Sequence, residues 1–209
     1  MEVVFLISFY KISTFTAMQL VFATHNTNKF NEVKALMPSH IELLSLTDIN
    51  CFDEIPETSE TLEGNAQLKA DFVTKKYKLN CFSDDTGLLV EALNGAPGVY
   101  SARYAGKQKS STDNMNKLLA ELDGNTNRQA KFKTVIALNI EGKSLLFKGE
   151  AQGEITLEKS GAAGFGYDPI FKPLDYDQTF AELSMEVKNE ISHRGKAIQE
   201  LINHLNQKK

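Results

Sequence analysis

Cysteine is scarce in this 209-residue chain: Cys51 and Cys81 stand far apart, with no C-x-x-C spacing. That argues against a disulfide framework and suits free, buried thiols in a reducing cytosol. No His/Cys cluster suggests zinc, no G-x-S-x-G elbow suggests a serine hydrolase, and no G-x-x-x-x-G-K-[ST] phosphate loop is present. Positive charge is not in excess. The net charge of −4 excludes a wholesale electrostatic grip on DNA or RNA, though not a local basic pocket for phosphates. Long apolar runs are missing too. Residues 3–10 are apolar but too few to span a bilayer, and Glu2 is the only early charge, unlike the positive start of a secretory signal. The domain is therefore expected to start at Met18, with residues 1–17 an extension outside the fold; a degenerate signal peptide is the alternative. There is no tandem repeat or low-complexity tract. The remaining composition, 42% hydrophobic and 24% charged, is that of an ordinary globular protein long enough for an α/β domain with a real core.

The apolar spacing alternates between strand and helix. Residues 20–23 predict a buried strand and 24–29 a polar loop; Phe30, Val33, Leu36 and Met37 then recur at helical spacing until Pro38. Residues 41–46 predict a second strand. A helix is expected over about 61–76, with Leu62, Ala66, Ala70, Val73 and Tyr77 as its apolar stripe; Asn65 and Lys69, four apart, share another face. Residues 79–82 predict a strand that ends at Asp84 and Asp85, and 88–93 another. Residues 110–122 read as a capped helix. Alternation from Phe132 to Ile140 predicts a strand, turned by Glu141-Gly142 into a second near 145–148, with a third near 153–157. This hairpin-like region could form a second lobe over the first. Ser192 is an N-cap for a last helix with Ile198, Leu201, Ile202 and Leu205 inward. His40 and His204 read as surface residues.

Four stretches carry possible chemistry. Asp84 and Asp85, followed by Thr86 and Gly87, stand where a buried strand should end, the place at which open α/β sheets bind ligands. They could hold Mg²⁺ or activate a water, or form an ordinary Asp-rich turn. In Thr24-His25-Asn26-Thr27-Asn28-Lys29, the free N–H groups of a helix start and a lysine could cradle phosphate, or the loop could bind nothing. Phe165-Gly166-Tyr167-Asp168 offers stacking faces, close backbone approach and an acceptor, or merely an aromatic tight turn. His193 and Arg194 sit in a first helical turn, where the helix dipole disfavours cations, which suggests a partner. Lys69 and Arg103 read either as solvated cations or as phosphate contacts.

Together these blocks resemble the inosine triphosphate pyrophosphatase family from Met18 nearly to the C-terminus. The blocks, in order, are FATHNTNKFNE at 22–32, PETSETLEGNAQLKA at 56–70, SDDTGL at 83–88, GAPGVYSARYAG at 95–106, GFGYDPIF at 164–171 and SHRGKA at 192–197. Each is weak alone; their joint order is specific. The resemblance implies an elongated two-lobed α/β fold spanning 18–207, with a central twisted mixed sheet flanked by helices around a nucleotide cleft. It further implies a cytoplasmic homodimer that binds neither nucleic acid nor membrane. The implied reaction takes ITP, dITP and XTP with water to the monophosphate and pyrophosphate, keeping these nucleotides out of DNA and RNA. Carried over, Thr24, His25, Asn26, Thr27, Asn28 and Lys29 match the triphosphate loop. Glu57 and Asp85 match the Mg²⁺-binding acids, Asp85 being also the base. Thr86, Lys69 and Arg103 match nucleotide and phosphate contacts. Phe165, Gly166, Tyr167, Asp168, Lys188, His193 and Arg194 match the base-reading set. Asn28 departs from the glycine usual in bacterial members; Asn tolerates left-handed backbone better than most residues.

Two other readings remain at this stage. One is a related pyrophosphatase for modified pyrimidine triphosphates, against which the S-H-R-G and G-F-G-Y-D-P segments count. The other is a nucleotide-binding regulator without catalysis, against which Glu57, Asp85 and Lys29 count.

Overall fold

The computed structural model describes residues 17–207, and residues 1–16, nearly all of the segment read as an extension, lie outside that range. Every strand joins one mixed sheet. The strands are β1 (Met18–Phe22), β2 (Ile41–Leu44), β3 (Cys81–Val90), β4 (Pro97–Gly98), β5 (Gln129–Ile140), β6 (Lys143–Ile155) and β7 (Phe171–Pro173). Their order is β2-β1-β3-β5-β6-β7, with β4 on the edge of β3. Pairing is parallel across β2, β1 and β3 and antiparallel elsewhere. The helices are α1 (Thr27–Leu36), α2 (Leu62–Tyr77), α3 (Ser111–Glu121), α4 (Met185–Ile191) and α5 (His193–Asn206). Among the described residues no helix is long and apolar enough to cross a membrane.

Local sequence explains the helix starts. Side-chain oxygens of Asn26, Thr61, Ser110, Ser184 and Ser192 each accept a backbone N–H of the helix that follows. Tertiary packing then selects the faces. On one side of the sheet, Val33 of α1 and Ile198, Leu201 and Leu205 of α5 bury against Phe22, Phe82, Ile136 and Leu138. On the other, Leu62, Ala66 and Ala70 of α2 bury against Val135 and Ala137. A further cluster joins Leu118 and Leu122 to Phe132, Phe171 and Phe180 at the far end of the hairpin.

The α/β class and mixed sheet agree with expectation, but four expected strands merge into two. The chain does not turn at the acidic pair: β3 runs straight through it from Cys81 to Val90, and Glu91–Leu93 is a 3-10 turn rather than strand. Adjacent strand residues face opposite sides of a sheet, so each acid meets a different helix and neither must face solvent. The segments near 145–148 and 153–157 form one strand, β6, paired with β5 from Gln129↔Glu154 to Ile140↔Lys143. The long hairpin thus continues the same sheet. Helix α4, too short for a periodic signal, went unforeseen. His40 and His204 are half-buried, His204 against the Phe147 ring.

The strand order creates a notch. From β1 the chain crosses through α1 to β2 on one side, then through α2 to β3 on the other, so the order reverses between β1 and β3. β1 pairs with β3 only as far as Phe82, and β4 joins β3 only at Leu88 and Leu89. Between them, residues 83–87 have an open edge from which both faces of β3 can be reached. This is a topological switch point at the carboxyl end of β1.

Gly149 is where α5 lies closest to the sheet. A β-carbon there would run into the His193 carbonyl and the Ala197 amide. Gly149→Ala is expected to cost about 1–3 kcal/mol through overpacking, lowering Tm by about 2–4 °C per kcal/mol in a domain of this size. An unchanged melting temperature would mean that α5 is not held tightly on β6.

Candidate active site

A cavity of about 870 Å³ opens at this notch, lined from both faces of β3. Of the adjacent acids on β3, Asp85 lines it and Asp84 does not. On the α2 face, the Lys69 ammonium lies 2.6 Å from Glu57 Oε1 and 3.8 Å from Asp85 Oδ1. Asp85 Oδ1 accepts the Thr86 N–H at 3.0 Å and its Oδ2 accepts the Asn65 amide at 3.2 Å. Arg103 lies over the Tyr100 ring, its Nη1 4.0 Å from Glu57 Oε2. Burial pushes the Asp85 carboxyl above its ordinary range despite the nearby Lys69 and Lys29. Burial would do the same to Glu57, but the Lys69 charge and its hydrogen bond, together with Lys29 and Lys109, outweigh it and hold Glu57 below its ordinary range. Lys69 is raised: its burial is outweighed by Asp85 and Glu57.

The opposite face of β3 carries a row of buried ion pairs. Lys29 Nζ meets Asp84 Oδ1 at 2.9 Å, and Arg194 Nε meets Asp84 Oδ2 at 3.2 Å. Arg194 Nη1 continues to Glu32 Oε2 at 2.6 Å; Lys188 Nζ then links Glu32 Oε1 at 2.7 Å to Asp168 Oδ2 at 2.8 Å. Asp84 is 1% exposed. Burial alone would raise its carboxyl; Lys29 and Arg194 outweigh that and hold it far below the usual range. Asp168 has fewer cations, and burial pushes it up against the pull of Lys188.

At the far end of the cavity, Phe165 is half-buried, with the Lys188 ammonium 5.2 Å from its ring centre and the Arg194 guanidinium at 5.5 Å. Asp168 Oδ2 accepts the Phe165 N–H at 2.7 Å, and Tyr167 donates its hydroxyl to the Ser101 carbonyl at 2.9 Å. His193 stacks on Phe132 with ring centres 4.4 Å apart, and its buried Nδ1 has no hydrogen-bond partner. Burial, then the Arg194 and Lys188 charges, hold His193 well below the ordinary imidazole value, so the ring is neutral.

The cavity wall collects most of the residues named from sequence: Thr24, His25, Asn26, Lys29, Glu57, Lys69, Asp85, Thr86, Arg103, Phe165 to Asp168, His193 and Arg194. Thr27 and Asn28 are exposed on the first turn of α1 and do not line it. The Asn28 and Lys29 amides, expected to be free for phosphate, are already capped by Asn26 Oδ1 at 3.0 and 3.1 Å. Lys188 lies behind the wall, where it holds Asp168. Arg194 is committed to Asp84, Glu32 and Thr86, which leaves only part of its fork for a ligand. The carboxylate of Glu32 is the residue that sequence reasoning missed. Its signal was helical spacing: Glu32 is four residues before Leu36 and three after Lys29, on the inward side of α1.

A model of the Ham1 family matches residues 20–204. A dITP/XTP pyrophosphatase of Flavobacterium johnsoniae is 63% identical over 188 residues, covering 90% of this chain and 98% of that protein. One from Flavobacterium psychrophilum is 60% identical over 185 residues, covering 88% of this chain and 97% of that protein. Among solved structures, the Ham1 protein of Staphylococcus aureus superposes with a TM-score of 0.83 at 41% identity, covering 91% of this chain and all of that one.

Two outcomes are expected of the buried charges. Glu32→Gln takes from Lys188 and Arg194 one of the two carboxylates each one has, leaving Asp168 and Asp84, and should cost about 3 kcal/mol in urea unfolding; a loss under about 1 kcal/mol would show that the remaining carboxylates satisfy them. His193 is neutral when folded and titrates near its usual 6.5 when unfolded. Its contribution is therefore complete above pH 6.5 and lost as pH falls, by at most about 1.4 kcal/mol per pH unit. His193→Gln should flatten the stability profile between about pH 7 and 5.5; an unchanged slope would assign it to another group.

Proposed function

The chain belongs to the Ham1 family, and from that premise we propose that it hydrolyses the non-standard purine triphosphates ITP, dITP and XTP to the monophosphate and pyrophosphate. The relatives' names give the substrate class. The observation that carries the chemistry is the convergence of Glu57 and Asp85 on the Lys69 ammonium, on a cavity wall shared with Lys29 and Arg103.

The donor set fits Mg²⁺. Among the described residues no cluster of three or more His, Cys, Asp or Glu could enclose an ion. Mg²⁺ instead takes one or two carboxylates and completes its shell with phosphate and water, and Glu57 and Asp85 supply hard oxygens on the cavity wall, both within 4 Å of the Lys69 ammonium. When bound there, it would neutralise phosphate charge and polarise the phosphoryl group.

In this reading Asp85 takes the proton of the water that attacks the α-phosphorus. Asp85 lies on the cavity wall with lone pairs left on its oxygens, as a proton acceptor there requires. Lys29, Lys69 and Arg103 stabilise charge growing on the leaving pyrophosphate. Phe165 stacks on the base, and His193 with the uncommitted N–H groups of Arg194 donates to the 6-keto oxygen. Adenine carries an amino donor at that position, so its rejection follows from donor facing donor. Residues 18–207 are read as one catalytic domain whose two lobes enclose the cavity, acting as a cytoplasmic homodimer that removes these nucleotides before they enter DNA or RNA.

With Mg²⁺ the protein should release pyrophosphate from ITP, dITP and XTP far faster than from ATP, GTP, CTP, UTP or TTP. Asp85→Asn should reduce turnover by at least about 10²-fold while the nucleotide still binds. Release of orthophosphate would place the cut at the γ-phosphorus and refute the mechanism. Binding without turnover in the unmodified protein would favour a regulator.

A further inference from the structure

Asn65 touches no substrate in the proposed mechanism, yet its side chain links Asp85 to the segment that carries Glu57. Asn65 is 1% exposed and one turn before Lys69 on α2. Its Oδ1 accepts the Ser59 N–H at 2.9 Å, and its Nδ2 donates to Asp85 Oδ2 at 3.2 Å. Ser59 is two residues from Glu57, in the segment that leads into α2. A backbone N–H can only donate, so the carboxamide oxygen must face Ser59 and its NH₂ must face Asp85. The Thr86 N–H holds the other oxygen of Asp85 at 3.0 Å. Each Asp85 oxygen thus has one fixed donor, and rotating the carboxylate breaks both bonds.

We propose that Asn65 is a positioning residue for hydrolysis: its carboxamide sets the plane of the Asp85 carboxylate and ties the Glu57 segment to it. The role rests on Asp85 being the base. Helix capping does not account for Asn65, because Thr61 already caps α2 by accepting the Gly64 N–H at 3.1 Å. Nor would a shorter or apolar side chain serve, since the position needs an acceptor toward one side and a donor toward the other.

Asn65→Ala and the near-isosteric Asn65→Leu remove both bonds without touching the cavity's cations or its base-binding end. Pyrophosphate release from ITP, Tm, and calorimetric binding of inosine monophosphate would be measured on each. The expected result is a fall in kcat of about 10²-fold, the scale of a small misplacement of a reacting group, with KM and monophosphate affinity within about threefold of wild type. A kcat within threefold of wild type, or a loss carried by KM and affinity instead, would overturn the role. Should Asn65→Ala not fold, Asn65→Leu decides alone, because it preserves volume. If wild type releases no pyrophosphate, the function itself fails and this role with it. If wild type is active and the variants match it, only the role of Asn65 fails.

Discussion

The constraint on which the rest of the structure depends is the alternation of sign along one buried row: Lys29, Asp84, Arg194, Glu32, Lys188, Asp168. Isolated charges at such depth would be prohibitive, and a buried pair is weak evidence for stability because desolvation can exceed its attraction. A row in which each interior member has an opposite charge on both sides is the arrangement that tolerates burial. It demands that α1, β3, α4, α5 and the 165–168 segment all be in register, since each contributes a member and the loss of any one takes an opposite charge from its neighbours. The end of the cavity bearing Lys29 and the end bearing Phe165 are therefore one electrostatic unit. The row explains the first turn of α5 as well. Arg194 is misplaced with respect to its own helix dipole, yet two carboxylates, not the dipole, determine its energy.

Much of this was legible in the chain because the informative signals were local. Ser192 was readable as a cap and 110–122 as a capped helix, and the stripes of α2 and α5 as buried faces, since both depend on neighbours within a turn. The failures were non-local. Nothing near Asp84 announces that Lys29 and Arg194 will neutralise it, so the pair of acids read as a strand end when it lies mid-strand. The break expected within β6 has the same origin: its full length follows from twelve residue pairings with β5 and is not visible in its own alternation. Glu32 was hidden because a glutamate on a short helix is usually solvated, and only the distant Lys188 and Arg194 make it otherwise.

Strand parity then separates two residues of identical chemistry. On one face, Asp84 has its Oδ1 taken by Lys29 and its Oδ2 by Arg194 and the Thr86 hydroxyl. With both oxygens committed and 1% of its surface exposed, it has little left to offer a nucleotide. On the other face, Asp85 keeps 9% exposure, accepts one hydrogen bond on each oxygen and has lone pairs to spare. Opposite environments move them in opposite directions, Asp84 down through full pairing and Asp85 up through burial with partial pairing. A fully paired acid and one that opens on the cavity are thus adjacent in sequence because a strand turns one residue away from the next. The notch beside β3 is needed for the same reason: only at an unpaired edge can a single ligand meet groups anchored on both faces. Asp85 can then act from the α2 side while the row that Asp84 anchors on the α1 and α5 side holds His193, Arg194 and Phe165 in place.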